Sequence, residues 1–93
     1  MSVKDKRRLE AEERNRLAKI RNTLKKELAA VEEKITALEA RKTVNEQALC
    51  DPQVHRDGAR IRDLQIDLKT VEDDLEDAYS RWTELSCRLE EET

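Results

Sequence analysis

The feature that most constrains this chain is the spacing of apolar residues in its second half. Steps of three and four residues alternate there without a break for four heptads, through Ile61, Leu64, Leu68, Val71, Leu75, Ala78, Trp82, Leu85 and Leu89. Such steps place side chains on one narrow stripe of an α-helix, which is the pattern of a coiled coil. The second half is therefore predicted to form one long helix over about residues 58–92.

A less regular stripe runs through the first half, where Arg21, Lys42 and Asn45 occupy positions between the apolar ones. The apolar members are Leu17, Leu24, Leu28, Val31, Ile35, Leu38 and Leu49. This spacing predicts another helix over about residues 14–49. Residues 1–13 are expected to form a basic lead-in that is partly unpaired and frayed.

The break between the two stripes contains the only proline and the only glycine, Pro52 and Gly58. Asp51 can cap a short turn and Asp57 the second helix, so we place the turn at about residues 50–57. Because 44% of the residues are charged and 2% are aromatic, a globular interior is excluded. We predict an all-α fold, two long helices in an antiparallel intramolecular coiled-coil hairpin over residues 14–93.

The register of this hairpin is set by which residues share a layer. In an antiparallel pair, the numbers of two residues that face each other add to a constant, and this constant defines the register. The heptad positions of the two stripes allow a constant of 106 or of 113. The first sum puts opposite charges together at the flanking positions, in the pairs Glu27–Arg81, Lys34–Asp74 and Arg41–Asp67, whereas the second sets Lys34 against Arg81. We therefore predict the register of 106, in which Leu38 faces Leu68 and Thr93 is level with Glu13.

Charge is unevenly distributed along the chain. Residues 1–26 hold ten lysines and arginines against four acidic residues, while residues 50–93 hold six against thirteen. Two interpretations stay open: the halves complement each other electrostatically, or the basic half forms a phosphate-binding face. The candidate nucleic-acid-binding residues are Lys4, Lys6, Arg7, Arg8, Arg16, Lys19 and Lys26.

Enzymatic chemistry is not expected of this chain, because it lacks a glycine-rich phosphate loop and a nucleophile paired with a base. Cys50, His55 and Asp57 are interpreted as a solvated turn rather than metal ligands, and no catalytic, cofactor or metal residue is predicted. The two cysteines are expected to be free thiols. No apolar run is long enough for a membrane span, so no membrane partner and a cytoplasmic location are expected.

Trp82 and Tyr79 could in principle stack on bases. Trp82 occupies a stripe position and Tyr79 the flanking one, and aromatic residues at such spacing are typical of packing. We therefore assign both to the seam between the helices, meaning the line where the two stripes meet.

Two segments resemble a known family. The turn Leu49-Cys50-Asp51-Pro52, together with the stretch 74–85 that contains Ala78-Tyr79-Ser80-Arg81-Trp82, is similar to the C-terminal coiled-coil domain of ABC-F ATPases. The basic stretch 6–15 is similar to the start of that domain. Val54 and His55 stand where an aromatic residue often follows the turn.

The resemblance implies a non-catalytic accessory domain of a parent ATPase that binds ATP and Mg²⁺ and acts on ribosomes. The implied partners are RNA, the ribosome or DNA, together with the parent's own nucleotide-binding domains. The alternative is a generic coiled-coil protein interaction module without nucleic-acid binding, which would use the outward apolar residue Ile66. Weak self-association stays open in either case.

Overall fold

The structure, a computed structural model, describes residues 2–92. Helix α1 spans Val3–Leu49, a 3-10 turn covers Val54–Arg56, and helix α2 spans Gly58–Glu91. The predicted all-α hairpin is confirmed, since α1 and α2 are antiparallel neighbours that pack against each other. The molecule is a rod of 80 × 16 × 14 Å. The outer ends of the predicted segments, Met1 and Thr93, lie outside the described residues.

The lead-in differs from the expectation, because α1 is helical from Val3 rather than from about residue 14. The Ser2 hydroxyl caps the helix by accepting from the Asp5 amide at 3.1 Å. Ion pairs three residues apart, such as Glu13 with Arg16, add support along the exposed surface. A cap and local pairs thus extend a helix whose later part is held by packing.

The turn follows the sequence prediction closely. The Asp51 carboxylate accepts from the Gln53 amide at 2.9 Å, which closes the chain into the turn. Asp57 is the N-cap of α2, and its carboxylate accepts from the Arg60 amide at 3.1 Å. Both predicted caps are therefore confirmed.

The core is a single narrow seam. Its central cluster joins Leu38 of α1 to Val71, Leu75 and Ala78 of α2, with Ile35 packed against it. Leu24, Leu64 and Leu85 are buried elsewhere along the seam. Because each helix has only one partner, solvent reaches most of the remaining surface.

The register of the seam corrects the sequence prediction. Leu38 packs with Leu75 and its neighbours rather than with Leu68, and Tyr79 donates a hydrogen bond to Glu39. In the register of 106, Tyr79 and Glu39 would be twelve residues apart along the axis, roughly 18 Å, which is beyond the reach of their side chains. The register of 113 places them within five residues and is the one observed.

Two of the three predicted charge pairs nevertheless form, Glu27 with Arg81 and Arg41 with Asp67. In the register of 113 each pair is offset by five residues, roughly 7.5 Å, which an arginine side chain can span. These pairs can form in either register and therefore do not discriminate between the two.

The observed register leaves the first part of α1 without a partner helix. Arg21 marks the limit, because its guanidinium donates to the Glu92 carbonyl at the end of α2 at 3.2 Å. Residues 3–20, called the overhang below, continue α1 beyond this point by roughly 27 Å. Across residues 2–92, neither helix combines the length and apolar character needed to cross a membrane.

Candidate nucleic-acid interface

All seven predicted nucleic-acid-binding residues are exposed on α1, but they do not form one surface. Helical spacing divides them, since residues three, four or seven apart share a face. Lys4, Arg8, Lys19 and Lys26 follow one line on the side of α1 opposite the seam, in which Asn15 and Asn22 fill the intervening positions. This line is called the outward row below.

The other three candidates point elsewhere. Lys6 lies eighteen residues, or five full turns, before the buried Leu24, so it faces the seam side of the overhang. Arg7 lies beside the outward row on the adjacent flank. Arg16 is engaged by Glu13, whose two carboxylate oxygens accept from the guanidinium at 3.0 and 2.6 Å.

The Glu13–Arg16 pair shows what sequence analysis overlooked. The hydrogen bond from Arg16 lowers the pKa of Glu13, and the same bond raises the pKa of Arg16, so both stay charged. A carboxylate three residues from an arginine is visible in the sequence and signals such pairing. Arg16 is therefore a poor candidate for binding phosphate.

The outward row has few acidic partners. Arg8 approaches Asp5 at 4.0 Å, while Lys4, Lys19 and Lys26 make no ion pair within residues 2–92. Glu12 lies next to Arg8 on the helix surface, and Glu33 follows Lys26 after one heptad. Unpaired exposed cations spread over roughly 33 Å form a line of positive potential.

The acidic helix α2 is positioned away from most of this row. Because α2 ends level with Arg21, the part of the row from Lys4 to Lys19 belongs to the overhang. On α2, Asp73 is paired with Lys69 at 2.9 Å, whereas the exposed Asp77 has no ion pair within residues 2–92. The overhang is near α2 only at its end, where the Glu13 hydrogen bond and, to a smaller extent, the Glu92 carboxylate raise the pKa of Arg16.

Trp82 and Tyr79 lie at the edge of the seam rather than inside it. Their exposed fractions are 38% and 47%, more than the assignment to the seam implies. Trp82 donates to Glu32 at 3.1 Å and Tyr79 to Glu39 at 2.8 Å. Both polar atoms are engaged by carboxylates, which would also repel the phosphates of a nucleic acid, so this site is unsuited to base stacking.

The chemistry available on the surface is limited to charge and shape. Within residues 2–92, no group of His, Cys, Asp and Glu side chains is arranged to hold a metal ion. Cys50 and Cys87 are exposed free thiols, as predicted. Lysine and arginine on a convex helix contact phosphates, whereas base edges require a groove-shaped complement.

Comparison with known proteins identifies one family. Residues 19–87 match the family described as the ABC transporter C-terminal domain. No curated protein and no solved structure shows significant similarity to the chain.

Proposed function

Since the chain belongs to the ABC transporter C-terminal domain family, we propose that it is a non-catalytic helical arm through which an ATP-binding cassette ATPase contacts nucleic-acid phosphates. The arm is of the ABC-F kind that the turn and the Ala78-Tyr79-Ser80-Arg81-Trp82 stretch resemble. ATP and Mg²⁺ are bound by the nucleotide-binding domains of the parent, and this chain contributes a long helix that carries positively charged side chains. Its targets are ribosomal RNA or DNA.

The observation that carries this proposal is the position of the outward row. Lys4 and Arg8 lie on a helix segment that α2 does not cover. Lys19 lies at the end of that segment, where it lines a cavity with Arg88 of α2, and Lys26 continues the line. The row is a convex edge, and its spacing allows several cations to contact successive phosphates. Such contacts fix position without reading sequence.

The test is binding of the chain to labelled single-stranded RNA and DNA of mixed sequence, measured by fluorescence anisotropy over a range of salt concentrations. We expect weak binding without sequence preference. Changing Lys4, Arg8, Lys19 and Lys26 to Gln should reduce the log-log salt slope by about 3, because each lost phosphate contact removes about 0.7 to 0.9.

A matched control changes four other exposed cations to Gln, namely Lys34, Arg56, Arg62 and Lys69. This variant has the same net charge but keeps the outward row, so its slope should stay close to that of the parent sequence. An equal decrease of the salt slope in both variants would show that binding depends only on the net charge of the chain. Unchanged binding after loss of the row would refute the proposed surface.

The competing function, a protein interaction module, is favoured by the exposure of Ile66 on α2. It predicts binding to a protein that depends little on salt and is lost on Ile66→Ser. Charge changes in the outward row would leave such binding intact.

A further inference from the structure

The two flanks of the hairpin seam carry their charges differently. On one flank, ion pairs across the seam join Glu27 to Arg81 and Arg41 to Asp67. On the other flank, within residues 2–92, the carboxylates of Glu32 and Glu39 accept only from the neutral donors Trp82 and Tyr79. Neutral donors satisfy hydrogen bonding but leave the negative charge of a carboxylate uncompensated.

This second flank continues toward the turn. Glu46 lies one heptad after Glu39, is exposed, and makes no ion pair within residues 2–92. Glu32, Glu39 and Glu46 thus form a line of carboxylates on α1, which we call the acidic flank. Beside it, a groove of about 270 Å³ is lined by Glu32, Ile35, Thr36, Tyr79 and Trp82.

The same face of α1 is basic at its other end. Arg7, Arg14 and Arg21 also follow one another at intervals of seven residues. Arg21 precedes Glu32 by eleven residues, about three turns, so the arginines and the acidic flank share one face. Arg7 and Arg14 are exposed and make no ion pair within the described residues.

We propose that this face binds a second copy of the chain, with the two α1 helices antiparallel. Facing residue numbers then add to 53. The arrangement sets Arg7 against Glu46, Arg14 against Glu39 and Arg21 against Glu32, and the two-fold symmetry makes each pair twice. The overhang of each copy lies along the acidic flank of the other.

Shape supports the same alignment. Ala11 and Ala18 lie between the arginines, while Thr36 and Thr43 lie between the glutamates and turn their hydroxyls back to the helix carbonyls. Small side chains on both sides allow the helices to approach closely. At a sum of 53, Ala18 of the second copy faces Ile35 in the groove, with Leu17 next to it.

The surface offers an apolar contact as well as charge. Tyr79 and Trp82 present exposed ring surface at the groove, on the side that the second overhang would cover. The overhang lacks a helical partner within one chain, so its half-buried Leu17 gains apolar burial in the dimer. The complex is a two-fold assembly of two hairpins.

The test uses sedimentation equilibrium of the whole chain at about 50 mM salt, where surface charges are weakly screened. A dimer is expected that weakens as salt is raised. Arg7→Glu and Glu46→Arg should each weaken it about fivefold, because each turns two attractive pairs into repulsive ones. Combining the two changes should restore the dimer, since it reinstates both pairs with their signs exchanged.

Matched controls separate this surface from the outward row. Lys19→Glu and Glu33→Arg carry the same charge changes as the test variants but lie off the proposed face, so dimerisation should be unaffected. Both Arg7 and Glu46 are exposed and, within residues 2–92, form no hydrogen bond or ion pair with α2, and circular dichroism should confirm that helicity is retained. The proposal would be overturned if the chain were a monomer at all concentrations. It would also be overturned if the controls lost the dimer or if the double variant failed to restore it.

The outcome is independent of nucleic-acid binding. Arg7→Glu and Glu46→Arg leave the outward row intact, while the Gln variant of that row leaves the pairs with Glu39 and Glu46 intact. The two proposals can therefore fail separately.

Discussion

Two aromatic residues of α2 each donate a hydrogen bond to a glutamate of α1. Trp82 donates to Glu32 and Tyr79 to Glu39, so both contacts cross from one helix to the other. A heptad position alone predicts aromatic packing but gives no account of where the polar atom goes. Partly exposed tyrosine and tryptophan keep one end apolar and satisfy the other, which explains their place at the seam edge.

The Tyr79 contact gives a titration that can be followed directly, because Tyr79 is the only tyrosine of the chain. The hydrogen bond to Glu39 raises the pKa of the phenol above its ordinary value. Glu39→Ala should therefore lower the midpoint of tyrosinate absorbance, whereas Glu33→Ala should not. Identical midpoints in all three proteins would show that the hydrogen bond is absent in solution.

The same shift has a consequence for stability. Because the folded-state pKa of Tyr79 is raised, the contact stabilises the hairpin fully below the ordinary pKa of a phenol. Its contribution is lost as the pH rises through the raised pKa.

At the scale of elements, the sequence predicted both helices, the turn and its caps, because stripes, Pro52 and the two aspartates act locally. It failed at the register, which depends on contacts between helices. The deciding residue is Asn45, which is buried and donates to Asp67 at 2.5 Å. In the register of 106 Asn45 would face Ile61 with no partner for its amide, and an unpaired buried amide costs more than surface charge pairs supply.

The candidate site was predictable to a similar degree. Helical spacing alone separates the outward row from Lys6 and Arg7, once the seam is fixed. The capture of Arg16 by Glu13 depends on side-chain geometry within one turn, and the sequence only raises it as an option. The length of the overhang follows from the register, so its predicted length was wrong for the same reason.

The register itself can be tested by cysteine crosslinking in a chain whose native cysteines are replaced by serine. Leu38→Cys with Leu75→Cys occupies one layer and should form an intramolecular disulfide. Leu38→Cys with Leu68→Cys is separated by seven residues along the axis, roughly 10 Å, and should stay reduced under dilute conditions. Counting free thiols distinguishes the two outcomes. A disulfide in the Leu38→Cys, Leu68→Cys chain and free thiols in the Leu38→Cys, Leu75→Cys chain would support the register of 106.

The whole molecule is a rod in which stability and exposed charge lie in different places. The seam between Arg21 and the turn holds the buried residues, while the overhang carries most of the outward row and half of the face proposed to dimerise. The contacts proposed with nucleic acid and with a second chain would therefore involve mainly the overhang and leave the packed part undisturbed. Because α1 is one uninterrupted helix over Val3–Leu49, the overhang continues the axis of the packed part.

This separation predicts that removing residues 2–16 should leave the unfolding midpoint of the dilute chain unchanged, since the deleted segment forms no hydrogen bond or ion pair with α2 and the half-buried Leu17 is kept. Helical signal should fall with the lost residues, because the truncation removes helix but no seam layer. Leu75→Ala should by contrast cost about 2 to 5 kcal/mol, as expected for a buried leucine. Urea unfolding followed by circular dichroism compares the two variants at low concentration, where the dimer is dissociated. A truncation as destabilising as Leu75→Ala would mean that the overhang contributes to the fold, and its charges could then no longer be regarded as free for binding.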